Sequence, residues 1–211
     1  MVNILLSTYD FNNSYCFSKL KEYLRSNMKV VVLPFTHSFE YYFEEELFNE
    51  LYDYDIGREL TYITRPFHDY GIEKENIYVL NPFRDSTVFM KYKIQQADIL
   101  FFTGGNPINF MALIKVFDIE KELKDFKGIT IGASAGAMLQ LEEFFVYYLP
   151  WEEYPYEYFK GLGYVSGIDV MVHWENNEWQ NIAKIMSHIE RRIPFINLPN
   201  GECLIYKKEV K

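Results

Sequence analysis

The chain has 211 residues, enough for one domain with a sizeable core. Apolar residues make up 49%, so nothing points to a disordered chain. A formal charge of −9 argues against a nucleic-acid partner, whose phosphates need a basic patch.

Short apolar runs alternate with helical periodicities, the mark of βαβ units and a mostly parallel sheet. The pattern predicts strands at 2–7, 29–34, 76–80, 98–102 and 128–132, with helices at 14–26, 38–52, 85–96, 107–117 and 134–141. Acidic residues gather in 39–50, which reads as a solvated helix face. Further on, strands are expected at 144–149 and 168–174, joined by an aromatic, acidic loop at 151–163. A helix at 177–190, a strand at 194–198 and a Pro-Asn-Gly turn into 202–206 follow, the last a hairpin signal. The expected fold is a three-layer α/β sandwich over 1–211, a mostly parallel sheet with a C-terminal hairpin.

The two cysteines, Cys16 and Cys203, are far apart and belong to no CxxC or Cys/His cluster. They are expected to be reduced and structural in a cytoplasmic protein. No signal peptide is recognised, and no run approaches the ~20 apolar residues of a membrane span, so no membrane partner is expected.

In open α/β sheets, ligands gather beyond the carboxyl ends of the strands. Two glycine-bearing segments fall at such ends, TGGNP (103–107) and GASAG (132–136). The second fits G-x-S-x-G between a strand and a helix. It reads either as a tight turn with a serine N-cap or as a strained turn presenting Ser134 as a nucleophile. The strand-to-helix setting favours the nucleophile, with the Ala135 N–H placed as an oxyanion donor. TGGNP reads as a plain turn, an anion-binding nest or, beside GASAG, the other half of an oxyanion hole.

Serine needs a base, and there are four histidines. His188 points away from the apolar stripe of its helix, and surface positions are expected for His37 and His68. His173, at the end of the strand IDVMVHW, is the candidate base; a half-buried strand histidine is the alternative.

Together these segments resemble the peptidase E family of serine peptidases, family S51, which includes aspartyl dipeptidases and is related to cyanophycinases. The resemblance rests on Gly104-Gly105-Asn106, on Gly132 through Ala137, on Gly161-Leu162-Gly163-Tyr164-Val165 leading to His173, and on LPNGECLIY (198–206), similar to the family's late LP-[DE]-G hairpin. It implies a flavodoxin-like fold akin to class I glutamine amidotransferases. It also implies Ser134 as nucleophile, His173 as base and oxyanion donors from Gly105 and Ala135. No cofactor or metal is expected.

In relatives the acid lies some fifteen to eighteen residues beyond the serine. That makes Glu152 the first candidate and Glu153 the next; Glu175, two residues past His173, is a third possibility. Asn106, Trp174 and Glu175 are expected on the substrate side of the site. Tyr147, Tyr148, Trp151, Tyr154 and Trp174 could form an aromatic cleft, although core packing accounts for most of them. The aspartyl dipeptidases carry an arginine after the histidine, and residues 175–184 here have none. Arg191 and Arg192 read as helix-end charges. This departure counts against a preference for N-terminal aspartate.

The expected protein is a serine peptidase acting on small peptides or amides, as a monomer or homodimer. Alternatives are a non-peptide ester or amide hydrolase, and a catalytically silent binding homologue.

Overall fold

The computed structural model describes residues 1–36, 44–147, 156–175 and 193–207. Its central sheet is built from β1 (Val2–Leu6), β2 (Val30–Leu33), β3 (Ile77–Val79), β4 (Ile99–Phe102), β5 (Ile129–Ala133) and β10 (Cys203–Lys207). The order is β10-β1-β5-β4-β2-β3, all parallel except β10, which runs antiparallel to β1.

Strands β2 and β4 are buried along their whole length, which explains their unbroken apolar sequences. The two-residue period divides these strands and β1 between two cores. Leu5, Val31, Leu100 and Phe102 enter one; Ile4, Val30, Val32, Ile99 and Phe101 enter the other.

Helices cover both faces. On the first, α4 (Thr87–Gln96) contributes Met90 and Ile94, α5 (Pro107–Val116) contributes Phe110, Leu113 and Ile114, and α6 (Glu120–Asp125) contributes Leu123. On the second, α1 (Ser14–Leu20) contributes Cys16 and Leu20, and α2 (Glu45–Tyr52) contributes Phe48 and Leu51. They are joined there by α3 (Arg58–Asp69) with Leu60, Ile63 and Phe67. Side-chain caps start three of these helices: Asn13 for α1, Ser86 for α4 and Asn106 for α5.

Helix α3 is not among the expected elements. Pro66 lies inside it, and an internal proline usually argues for a helix end. Leu60, Ile63, Thr64 and Phe67 nevertheless keep an i, i+3, i+4, i+7 stripe, and burying that stripe outweighs the lost hydrogen bond. Part of the expected loop at 151–163 is also a strand: β6 (Glu143–Tyr147) pairs antiparallel with β7 (Tyr156–Lys160).

A third sheet joins β8 (Asp169–Trp174) and β9 (Phe195–Pro199) in parallel. The C-terminal hairpin is β9, a turn at Asn200–Gly201 and β10, its arms paired with different neighbours, β8 and β1. The expected helix at 177–190 and the start of that at 38–52 lie outside the described residues. Among the described residues no helix is long and apolar enough to cross a membrane.

Phe67 is fully buried, with its ring centroid 5.0 Å from that of Phe11 and 5.7 Å from that of Phe101, both edge-on. Phe67→Ala is therefore expected to cost about 3–5 kcal/mol in denaturant unfolding. An unchanged midpoint would mean that α3 does not dock on the sheet.

Candidate active site

The parallel register sets Leu6 beside Ala133 and Phe102 beside Gly132. Ser7, Thr103 and Ser134 therefore leave the sheet at one edge, beyond the carboxyl ends of the strands. Ser134 has φ 53 and ψ −118, a conformation costing a non-glycine residue roughly 1–3 kcal/mol. Its N–H donates to Leu6 O at 2.9 Å, and its carbonyl accepts from Ala137 N–H at 2.9 Å.

The neighbours must be small. A Cβ on Gly132 would lie 2.0 Å from Gly136 O, and one on Gly136 would lie 2.1 Å from Phe102 O. Close strand–helix packing and presentation of the serine are thus one feature. The following helix α7 (Ala135–Met138) is a single turn, shorter than the expected 134–141. It can offer the Ala135 N–H but little macrodipole. Gln140, fully buried, secures its far end by donating to Ile4 O at 3.1 Å and accepting from the Thr130 hydroxyl at 2.6 Å.

His173 meets this serine. Its Nε2 lies 2.8 Å from Ser134 Oγ. The simple alternation expected for its strand fails, because β8 is irregular between Met171 and Trp174 and His173 has φ 56. That bulge re-aims the ring. Ser7 fastens it: the buried hydroxyl accepts from His173 N–H at 3.0 Å and donates to Leu198 O at 2.6 Å, tying β8 and β9 to the end of β1.

The far ring nitrogen, Nδ1, lies 2.8 Å from Asn200 Oδ1. A carboxylate was expected there, and an amide oxygen occupies the place. Of the three expected acids, Glu152 and Glu153 lie outside the described residues, and Glu175 is exposed. Asn200 stands at the [DE] position of the LP-[DE]-G pattern, the signal that could have found it. The parallel register sets Trp174 beside Pro199, which brings Asn200, just past the end of β9, within reach of the His173 ring. The turn is held by the β1–α1 loop, with Asn13 Nδ2 donating to Gly201 O at 2.9 Å and Gly201 N–H to Thr8 Oγ1 at 3.3 Å. Cys16 Sγ also reaches Gly201 O, at 3.4 Å; both cysteines are buried and free.

Gly105 has φ 135, and an added Cβ there would lie 2.6 Å from Thr36 O. A Cβ on Gly104 would lie 3.3 Å from Ser134 Cβ, so the Gly-Gly turn abuts the serine. Asn106, expected on the substrate side, spends its Oδ1 on the N–H groups of Ile108 and Asn109 at 2.9 and 3.3 Å. Trp174 is buried. His68 sits at the surface, 3.3 Å from Glu73; His37 and His188 lie outside the described residues.

A cleft of about 640 Å³ opens over the pair, lined by Tyr9, Asp10, Glu59, Tyr62 and Asn200 among others. Its fixed charges are the carboxylates of Asp10 and Glu59, with no lysine or arginine among the described lining residues. Glu59 also meets the exposed Arg58 at 3.5 Å. Tyr9 is pushed up to about 12, chiefly by burial, against a lowering by the Gly104 N–H and with a small rise from Glu59. It stays a neutral phenol. Among the described residues no three His, Cys, Asp or Glu side chains converge as a metal site.

The sequence profile of peptidase family S51 matches residues 58–210, which include Gly105, Ser134, His173 and Asn200. The chain belongs to this family. No curated protein matches it. Among solved structures, the S51 chain is similar to a protein assigned to peptidase E from Listeria monocytogenes EGD-e. The TM-score is 0.65 at 15% identity, covering 100% of this chain and 98% of that one. It is also similar to a peptidase from an acI-B1 Actinobacterium, with TM-score 0.61 at 16% identity, covering 98% and 83%. At such identities the likeness is one of fold, and it agrees with the mostly parallel α/β sheet described above.

Because the atom that a Gly136 Cβ would strike belongs to the Phe102 backbone, no side chain can move aside. Gly136→Ala is expected to lose at least about 1–3 kcal/mol of stability through overpacking. A thermal melt equal to that of the native protein would contradict the close packing of α7 on β4.

Proposed function

We propose that this S51 protein is a serine hydrolase that cleaves small peptides or related amides through an acyl-enzyme on Ser134. The observation that carries the proposal is the 2.8 Å contact between Ser134 Oγ and His173 Nε2, made by two residues held at positive φ.

In this mechanism Ser134 Oγ attacks the substrate carbonyl while His173 Nε2 takes its proton. The developing oxyanion accepts from the N–H groups of Gly105 and Ala135. Protonated His173 then gives its proton to the leaving amine, and the acyl group remains on Ser134. Water, deprotonated by the same Nε2, attacks the ester and restores the serine. No cofactor takes part. Asn200 Oδ1 accepts a hydrogen bond from Nδ1–H, which keeps the proton on Nδ1 and leaves Nε2 with the lone pair that the serine proton needs. The carboxylates of Asp10 and Glu59 favour substrates with a neutral or cationic group beside the scissile bond and disfavour acidic ones.

A fluorophosphonate probe tests the central step. Native protein is expected to be labelled, Ser134→Ala is not, and His173→Ala reacts far more slowly. Dipeptides bearing Lys or Ala before the scissile bond should then be cleaved faster than those bearing Asp. If native protein is inert while a known serine hydrolase is labelled, the chain is instead a binding protein, the alternative that a neutral Asn200 favours.

Asn200 gives a second test. It holds the tautomer but adds no charge to stabilise the imidazolium. Asn200→Asp is expected to raise kcat/KM by roughly tenfold, since a carboxylate beside the ring favours its charged form. For the same reason the acid limb of the kcat/KM–pH profile should move to higher pH. Asn200→Ala should lower kcat/KM. Identical profiles for all three proteins would remove Asn200 from the mechanism.

A further inference from the structure

The Thr103–Asn106 turn contains three N–H groups that could meet an oxyanion, those of Gly104, Gly105 and Asn106. Two are already used. The Gly104 N–H donates to Tyr9 Oη at 2.7 Å, and the Asn106 N–H donates to Thr36 O at 2.6 Å. Only the Gly105 N–H has no acceptor among the described residues.

Its direction is also constrained. The Gly104 carbonyl accepts from Thr36 Oγ1 at 2.6 Å. The Gly104–Gly105 peptide is trans, so its N–H points opposite to its C=O and therefore away from the Thr36 hydroxyl. Thr36 has one hydroxyl proton, and donating it to Gly104 O leaves its oxygen free to accept. Thr103 Oγ1, 2.6 Å away, fills that role. Both threonines are fully buried, so water cannot compete for this chain of hydroxyls.

We propose that Thr36 and Tyr9 are positioning residues of catalysis, which hold Gly104 at its carbonyl and at its N–H and so keep the Gly105 N–H ready for the oxyanion. Neither touches the reacting atoms. Thr36 fixes the rotation of the peptide plane through its carbonyl, and Tyr9 withdraws the competing Gly104 N–H. The oxyanion site is thus set before substrate arrives, and no reorganisation is required during the reaction. This role rests on the hydrolase mechanism proposed above.

The test compares Thr36→Val, Thr36→Ser and Tyr9→Phe with native protein, reading dipeptide turnover, Ser134 labelling by the fluorophosphonate and thermal unfolding. Thr36→Val removes the donor at nearly constant volume. It is expected to lower kcat by ~10–100-fold, with KM little changed and labelling slowed in parallel, by analogy with a displaced or lost oxyanion donor. Thr36→Ser restores the hydroxyl and should recover most of the rate. Tyr9→Phe keeps the ring, frees the Gly104 N–H and should lower kcat with KM little changed.

A folded Thr36→Val protein turning over at the native rate overturns the proposal. So does a Thr36→Ser protein as slow as the valine variant, which would assign the effect to packing. Should Thr36→Val fail to fold, Tyr9→Phe decides: a native kcat there overturns the proposal. Failure of native protein to label would overturn the hydrolase mechanism itself, a result distinct from all of these.

Discussion

Three parallel strands, β1, β5 and β4, end level with one another, and everything at the cleft depends on that register. It places the exits of Ser7, Ser134 and Thr103 side by side, each with a different task. Ser134 is thrown outward by a backbone turn that only small neighbours permit. Ser7 anchors the separate β8–β9 sheet and, with it, His173. Thr103 begins the glycine turn packed against the serine. A change in register by one residue would invert the faces of β5 and bury the serine.

Strain is concentrated where these elements meet. Among the described residues only Asp118, Ser134 and His173 are non-glycine residues with positive φ, and two of those three face each other at 2.8 Å. Polar contacts hold the conformations in place: Gln140 under α7, Ser7 under His173, and Asn13 under the turn that bears Asn200. Asn200 is the weakest member electrostatically. A neutral amide oxygen can orient an imidazole but contributes little to its charged form, so the Ser134–His173–Asn200 arrangement carries no charge beside the ring at Nδ1.

Much of this was legible in the sequence because it is local. GASAG and the Gly-Gly turn announce themselves by small residues at strand ends, and the parallel sheet by its apolar runs. His173 was legible as the histidine at a strand end, although the bulge that aims it was not, since the alternation of IDVMVHW gives no sign of it. Asn200 lies 66 residues from Ser134 in the numbering, and its pairing with His173 arises only from the β8–β9 register. A search for an acid in the window after the serine could not reach it. Ser7, Tyr9 and Thr36 belong to no motif at all; isolated hydroxyls acquire meaning only from the carbonyls and amides that folding brings to them. Helix α3 was hidden by Pro66, and β7 by the aromatic and acidic character of its segment.

The most direct measurement is a crystal structure of the protein after reaction with a fluorophosphonate. The phosphorus should be bonded to Ser134 Oγ. One phosphoryl oxygen should lie about 2.7–3.1 Å from both the Gly105 and Ala135 nitrogens, the range for oxyanion donors, with His173 still facing Asn200. An adduct whose oxygens point to solvent, or one carried by another residue, would contradict the assignment of this strand edge as a catalytic centre.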